Sequence, residues 1–454
     1  MFSTSRRWLL IASPLLALCL LYYLSQSPET RPVSGKGLGS WTQKSSNQNT
    51  LTVQSDDMDS LTATDPCGRQ PRDMDDVFVV VKTGATESQQ RIPVHLRTTL
   101  QCVPHFAIFS DYEETINGVQ VHDILKNVSK TTMGKEPEFD LYRRLQEVGR
   151  DGLTDKEWGD DTNGPLGKTN NPGWKLDKWK FLPMIDSALE LKPDAKWYVF
   201  AEADTYLTWP NLVNWLAHLD HTEPYYIGSP MQIGNELFAY GGGGIILSAR
   251  TMQRLSSYRA RAGEEMDKIM AEEWAGDCAL ARALRQVRVS LTWAWPMMLT
   301  LRPSELDHFS EGYGRQPWCY PAISYHHMSP TDIEEMWRFD REWFSSGKNA
   351  LLLHADVFRK HIHNASLSER SDWDNLSSVK IDSVSSTEAC HEACSHDSDC
   401  LQWSFRASEG CKHASTTLLG VPTNGTQSGW MKTRVQKLLD LFQSSCPQVE
   451  YIFN

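Results

Sequence analysis

The sequence is short of positive charge. Over 454 residues, 45 Lys and Arg stand against 57 Asp and Glu, a net charge of −12. Broad nucleic-acid binding needs a basic surface, so no nucleic-acid partner is expected. No internal repeat stands out, and low-complexity sequence is confined to a polar N-terminal stretch. Wholesale disorder is excluded, because 40% of residues are hydrophobic, 10% are aromatic and 17 are Trp, enough for a sizeable core. Cysteine is scarce, ten in all, and long apolar runs are missing but for one.

That run is Trp8–Leu24, "WLLIASPLLALCLLYYL", uncharged and preceded by Arg6 and Arg7. Its length suits a short membrane span, of the kind found in thinner early-secretory bilayers. The positive-inside rule then leaves the N-terminus cytoplasmic and the body lumenal. A cleaved signal peptide is the alternative, with Ser25-Gln26-Ser27 as its poorer cleavage site. Both readings deliver the body to the secretory pathway. Sequons at Asn127, Asn364, Asn375 and Asn424 agree with that compartment. So do nine cysteines beyond the anchor. Nine is odd, so at least one thiol is free or pairs between chains, and a disulfide-linked dimer is one outcome.

The expected organisation is a cytoplasmic tail at 1–7, an anchor at 8–24 and a flexible Ser/Thr/Gln-rich stem at 25–65. A catalytic body over 66–345, a small module at 365–435 and a tail at 436–454 follow. Val77–Val81, "VFVVV", reads as a buried parallel strand. A helix-like Ile92–Leu100 and a strand His105–Ser110 come next, which is βαβ grammar. Met133–Pro172 reads as a long, partly helical surface insert, and Trp174–Leu191 as one helix. The strand Trp197–Ala201 then ends in Glu202 and Asp204. In open α/β sheets the carboxyl end of the strands is where ligands bind. Strands are also expected near Tyr225–Gly228 and after the glycines of "YGGGGIILS". Met252–Trp274 and Cys278–Val287 read as helices, and Trp293–Met336 as irregular.

The chemistry-bearing residues cluster around those strand ends. Departure of a nucleoside diphosphate creates negative charge that a divalent metal can neutralise. Such metals take carboxylate oxygens, and Mn²⁺ also accepts imidazole. Glu202 and Asp204, spaced i, i+2, can form such a site or a solvated turn. Gly241–Gly244 can admit a ligand to the backbone or make a tight turn. Asp277, opening "GDCALARAL", is a helix cap or a general base. His326 and His327, after a short strand in "ISYHHMSP", are structural histidines or ligands.

Together, "DAKWYVFAEADTYL", "FAYGGGGIILS", "GDCALARAL" and "AISYHHMSP" resemble, in order and spacing, glycosyltransferase family 31, the fringe and core 1 β1,3-galactosyltransferase group. The upstream "VFVVVKTGATESQQRIPVHLRTTL" is similar to that family's first βα unit, and the resemblance covers roughly 75–337. It implies a GT-A-type nucleotide-sugar-binding α/β fold with a mostly parallel sheet, and a Golgi type II membrane protein. It implies Mn²⁺-dependent, inverting transfer of a hexose, galactose first and N-acetylglucosamine second, from a UDP-sugar donor to a glycan or glycoprotein acceptor. It further implies that Asp204, His326 and Glu202 hold the metal. Glu202, Asp204, Gly241, Gly242, Gly244 and Lys180 would line the donor site, and Asp277 would be the base. Ala203 replaces the family's middle acid and Gly276 a glutamate, so Glu272 or Glu273 are alternative bases. A non-catalytic chaperone or carbohydrate-binding protein is the rival reading.

Cys390, Cys394, Cys400 and Cys411 lie close together, as in a small disulfide-stapled module. "EACHEACSHDSDCLQWSF" resembles a PAN/apple domain. That resemblance implies an α+β module with Cys390–Cys411 and Cys394–Cys400 pairs and a protein or carbohydrate ligand.

Overall fold

The structure is a computed structural model that describes residues 72–155, 157–158, 171–346, 351–363, 368–443, 446 and 451–453. The cytoplasmic tail, the anchor, the stem and the sequon at Asn364 lie outside the described residues. Among the described residues no helix is long and apolar enough to cross a membrane.

Among the described residues, twelve strands build the larger body. They are β1 (Val77–Lys82), β2 (Phe106–Ser110), β3 (Glu114–Ile116), β4 (Val119–Asp123), β5 (Trp197–Glu202), β6 (Tyr206–Leu207), β7 (Tyr226–Gly228), β8 (Pro230–Ile233), β9 (Glu236–Ala239), β10 (Ile245–Ser248), β11 (Leu291–Trp293) and β12 (Ser324–Tyr325). Eight of them form one sheet in the order β11-β7-β10-β5-β1-β2-β4-β3. β1 runs parallel to both β2 and β5, as the buried "VFVVV" run requires. β10 is reversed, antiparallel to β5 and β7. The α/β fold with a mostly parallel sheet is therefore present. Alternate residues of β1 feed two cores: Phe78 and Val80 face one, Val77, Val79 and Val81 the other.

Three helical expectations are corrected. The Trp174–Leu191 helix is two, Pro172–Asp177 and Phe181–Leu191. The break at 178–180 turns Trp179 and Lys180 fully inward, and their burial and pairing outweigh a continuous helical ladder. The Met252–Trp274 helix ends at Gly263, whose φ of 50° only glycine adopts readily, and restarts as Glu264–Glu272. The insert read as surface sends Phe139, Leu141, Tyr142 and Leu145 of the helix Phe139–Val148 into the main core.

The C-terminal module is an antiparallel sheet of β13 (Arg370–Asp374), β14 (Val379–Ile381), β15 (Gln402–Arg406), β16 (Gly410–Ala414) and β17 (Val421–Trp430) with the helix Thr387–His396. Disulfides Cys390–Cys411 and Cys394–Cys400 tie that helix to the sheet around Trp403. Cys446 pairs with Cys319 of the larger body. Among the described cysteines the free one is Cys278, which is buried and so not placed to link two chains. The sequon at Asn375 is not an acceptor: its side chain is buried and donates to the carbonyls of Trp403 and Gly429.

The segment read as a C-terminal tail returns to the larger body. The helix Lys432–Gln443 accepts a hydrogen bond from Trp318 Nε1 at Phe442, and Trp215 Nε1 donates to the carbonyl of Ile452. Ile452 joins the same apolar core as Val77 and Val79.

Candidate functional site

The stretch that ends β5 divides its side chains between two environments. Glu202 faces the cleft, Ala203 turns into the apolar core, and Asp204 returns to the cleft. The Ala203 carbonyl accepts from His95 Nε2 at 2.8 Å. Thr205 fixes the turn: its N–H donates to the Glu202 carbonyl and its hydroxyl to the Gly242 carbonyl. β12 pairs antiparallel with β6. That pairing brings His326 and His327, just after β12, opposite Asp204, just before β6. The Met328 N–H locks the contact by donating to the Asp204 carbonyl at 2.9 Å.

His326 Nε2 lies 3.2 Å from one Asp204 oxygen and His327 Nδ1 lies 3.7 Å from the other. One ligand atom each from Asp204, His326 and His327 falls within 4.8 Å of the other two, close enough to hold a metal ion. His327 has a φ of 58°, unusual for a side-chain-bearing residue, which turns its ring back beside His326. Its other nitrogen, Nε2, is buried without a hydrogen-bond partner. Burial raises the Asp204 pKa, but His326 and His327 override it and hold the carboxyl well below its usual range. Burial lowers the His326 pKa, and Asp204 and Glu202 more than reverse it. Two imidazoles and a carboxylate fit Mn²⁺ better than Mg²⁺, which prefers oxygen ligands.

Glu202 stands at the edge of this set. Its nearest oxygen is 3.9 Å from His326 Nε2, and its other oxygen is 3.3 Å from Lys82 Nζ. The three-residue metal set does not include it.

Lys180 lines the floor of the triad chamber. It is fully buried, and its ammonium meets the Thr83 carbonyl at 2.7 Å, Asp177 at 2.7 Å and Asp111 at 2.9 Å. An ammonium has three donors. All three are occupied, so Lys180 braces the floor and has no donor left for a ligand. Lys82 is the cation the sequence reading missed. It ends β1 in register with Glu202, bridges to Asp177 and lies 5.0 Å from the Phe181 ring centroid. The available signal was its position, the first charged residue at the carboxyl end of a central strand.

The glycine run separates the histidines from Asp277. A Cβ on Gly242 would stand 2.1 Å from the His326 ring, so only glycine lets that ring lie where it does. A Cβ on Gly241 would stand 2.8 Å from Glu202 Oε1. The Gly241 N–H donates to Asp277 at 3.0 Å. Gly244, at φ 87°, turns the chain into β10. Gly242→Ala is expected to displace His326, weaken Mn²⁺ binding and cost about 1–3 kcal/mol of stability by overpacking. Mn²⁺ titration followed by electron paramagnetic resonance, with thermal melts, reads both, and unchanged Mn²⁺ affinity refutes the role assigned to Gly242.

Asp277 sits in the first turn of the helix Gly276–Gln286, 7% exposed. It accepts from the N–H groups of Gly241 and Cys278. Burial pushes its pKa up to about 6 and Glu202 adds to the rise, while those N–H groups and Lys82 oppose it. A Cβ on Gly276 would meet the Phe181 ring at 2.2 Å, so an aromatic ring fills the space around position 276. Glu272 and Glu273 are both engaged by Arg282, at 2.7 and 3.1 Å. Asp277 is thus the carboxylate that faces the cleft from this helix.

The cleft has two chambers that share Lys82, Trp174, Asp177, Glu202 and Tyr240. One holds Asp204, His326 and His327, and the other holds Asp277 and Trp274. Residues 72–338, well over half the chain and spanning both chambers, match the family model described as Fringe, Fringe-like. The chain belongs to the Fringe-like family. Its family is one of glycosyltransferases. No curated protein matches this Fringe-like chain. Among solved structures it is similar, at 10% identity and a TM-score of 0.23, to the crystal structure of a glycosyltransferase involved in the glycosylation of the major capsid of PBCV-1. That match covers 58% of this chain and 98% of the other. The C-terminal module of the Fringe-like chain lies outside the family-matched residues.

Proposed function

We propose that this Fringe-like glycosyltransferase transfers a hexose with inversion from a UDP-sugar to a hydroxyl of a glycan or glycoprotein. Galactose is the first expectation for the donor and N-acetylglucosamine the second. The observation that carries the reading is the placement of a metal-competent triad and a raised-pKa carboxylate in adjoining chambers of one cleft. In the proposed step Asp277 accepts the proton of the acceptor hydroxyl as its oxygen bonds the anomeric carbon. The bond from that carbon to the UDP oxygen breaks, and UDP leaves with the electron pair. Asp204, His326 and His327 would hold Mn²⁺, which when bound supplies charge stabilisation for the leaving diphosphate. Lys82 adds a fixed positive charge between the chambers.

Two departures from the family pattern favoured a non-catalytic reading, and both have a structural account. Ala203 points into the core, away from the triad. The space at Gly276 is filled by Phe181. A Golgi type II location rests on the N-terminal apolar run, and a protein or carbohydrate ligand for the C-terminal module rests on its resemblance to PAN/apple domains. The full chain, assayed for hydrolysis and transfer with a panel of UDP-sugars with and without Mn²⁺, is expected to consume one donor in a Mn²⁺-dependent way. No turnover of any UDP-sugar sinks the reading.

A further inference from the structure

Trp274 is out of place as a core residue. This chain buries Trp179, Trp215, Trp318 and Trp403 completely, yet leaves Trp274 40% exposed at the mouth of the Asp277 chamber. It lies on the turn between the helices Glu264–Glu272 and Gly276–Gln286, three residues before Asp277. Gly276, between the two, is pinned against Phe181 and Lys178. Trp174 backs it, with ring centroids 5.6 Å apart and planes inclined by 36°. Phe181, Phe238 and Met231 add to the apolar lining, and Asp177, Glu202 and Asp277 supply carboxylates.

Aromatic faces beside a few convergent polar groups suit a ligand that is itself two-sided. A pyranose is such a ligand. The hydrogens of its C–H face carry slight positive charge and attract the negative face of an indole, while its hydroxyls reach carboxylates. We propose that Trp274 is the platform on which the acceptor stacks a hexopyranoside ring by its C–H face, with a ring hydroxyl directed to Asp277. The inference rests on the transferase reading above. It goes further by assigning the acceptor end a sugar and a residue.

The division of the cleft decides between the acceptor and the nucleobase as occupant. Trp274 lines the Asp277 chamber and is absent from the lining of the chamber that holds Asp204, His326 and His327. Inversion requires attack from the side opposite the leaving diphosphate. The group nearest the base and away from the metal triad is therefore the acceptor.

Saturation-transfer nuclear magnetic resonance on the full chain tests this without turnover. The probes are methyl β-galactoside, methyl β-glucoside, methyl β-N-acetylglucosaminide and methyl α-mannoside. At least one is expected to receive saturation on the hydrogens of one ring face, and to keep it when excess UDP is added. Trp274→Ala should weaken that sugar's binding about tenfold, and Trp274→Phe should restore most of it. Mn²⁺ binding by Trp274→Ala, read by electron paramagnetic resonance, should stay at the wild-type level and certify the fold. No saturation on any probe, equal saturation in Trp274→Ala, or loss of signal on adding UDP each overturns the platform. Absence of UDP-sugar turnover in the separate donor assay instead sinks the transferase reading.

Discussion

Asp204→Ala is expected to lower UDP-sugar turnover by roughly 10³-fold, because it removes the shared carboxylate of the metal triad and with it the stabilisation of the leaving group. Both histidines point at this one carboxylate, and the next acid, Glu202, stands 3.9 Å from His326 Nε2, outside the three-residue set. The domain should remain folded, since the Asp204 backbone is held independently by the Met328 N–H. The ion pair itself contributes stability. The Asp204 pKa lies well below the ordinary value, so its contribution is present above that value and fades as pH falls through the depressed one. The variant should therefore melt lower than wild type at neutral pH, with the gap closing in acid. Mn²⁺ affinity by electron paramagnetic resonance separates loss of metal from loss of fold. His327→Ala, compared alongside, should weaken Mn²⁺ binding by more than the roughly 10- to 100-fold that losing a residue which only orients a ligand costs. Turnover or Mn²⁺ affinity unchanged in Asp204→Ala refutes the triad.

Asp277→Asn should cost about 10²- to 10⁴-fold in kcat/KM, the usual range for a lost general base. It should also abolish the acid limb of the pH profile. The base works when ionised, and burial sets its pKa at about 6, so wild-type activity should rise as pH climbs through about 6. The variant's residual activity should show no such limb. Stability runs the other way. A carboxyl whose folded pKa is raised favours the fold below its unfolded value of 3.8 and loses that contribution as pH rises through about 6. Wild type should thus lose about 3 kcal/mol relative to Asp277→Asn between those limits. Denaturant melts at pH 4 and pH 7 read the difference. A pH profile that keeps its limb in the variant would move the base elsewhere.

The strand ends were legible because a parallel strand buried on both faces leaves an unbroken apolar run, and the first polar residues after it mark the ligand edge. β1 and β5 carry that signature, and with them Glu202 and Asp204. Helix boundaries were less legible. The periodicity of 174–191 continues through the break, and only the burial of Trp179 and Lys180 reveals why the helix stops. Charge partners were illegible for the same reason. Nothing near Lys180 in sequence announces Asp111, and nothing near Lys82 announces Asp177, because the sheet creates those pairs. Lys180, expected at the donor site, lines the triad chamber with its three donors engaged by Thr83, Asp111 and Asp177. His327 was noticed with His326, but its inclusion in the triad depends on a left-handed backbone that sequence does not display. Ala203 looked like a lost ligand only because side-chain direction at a strand end was not taken into account.

The seating of Ile452 on Trp215 spans 237 residues of sequence, and the Cys319–Cys446 bridge spans 127. Domains usually fold in order of synthesis, N-terminal first. Here the core beneath β1 and β5 takes in Ile452, a residue made long after those strands. The helix Lys432–Gln443, which closes the patch around Phe309, Trp318 and Phe358, arrives almost as late. A chain truncated before Lys432 would leave the indoles of Trp215 and Trp318 without their acceptors.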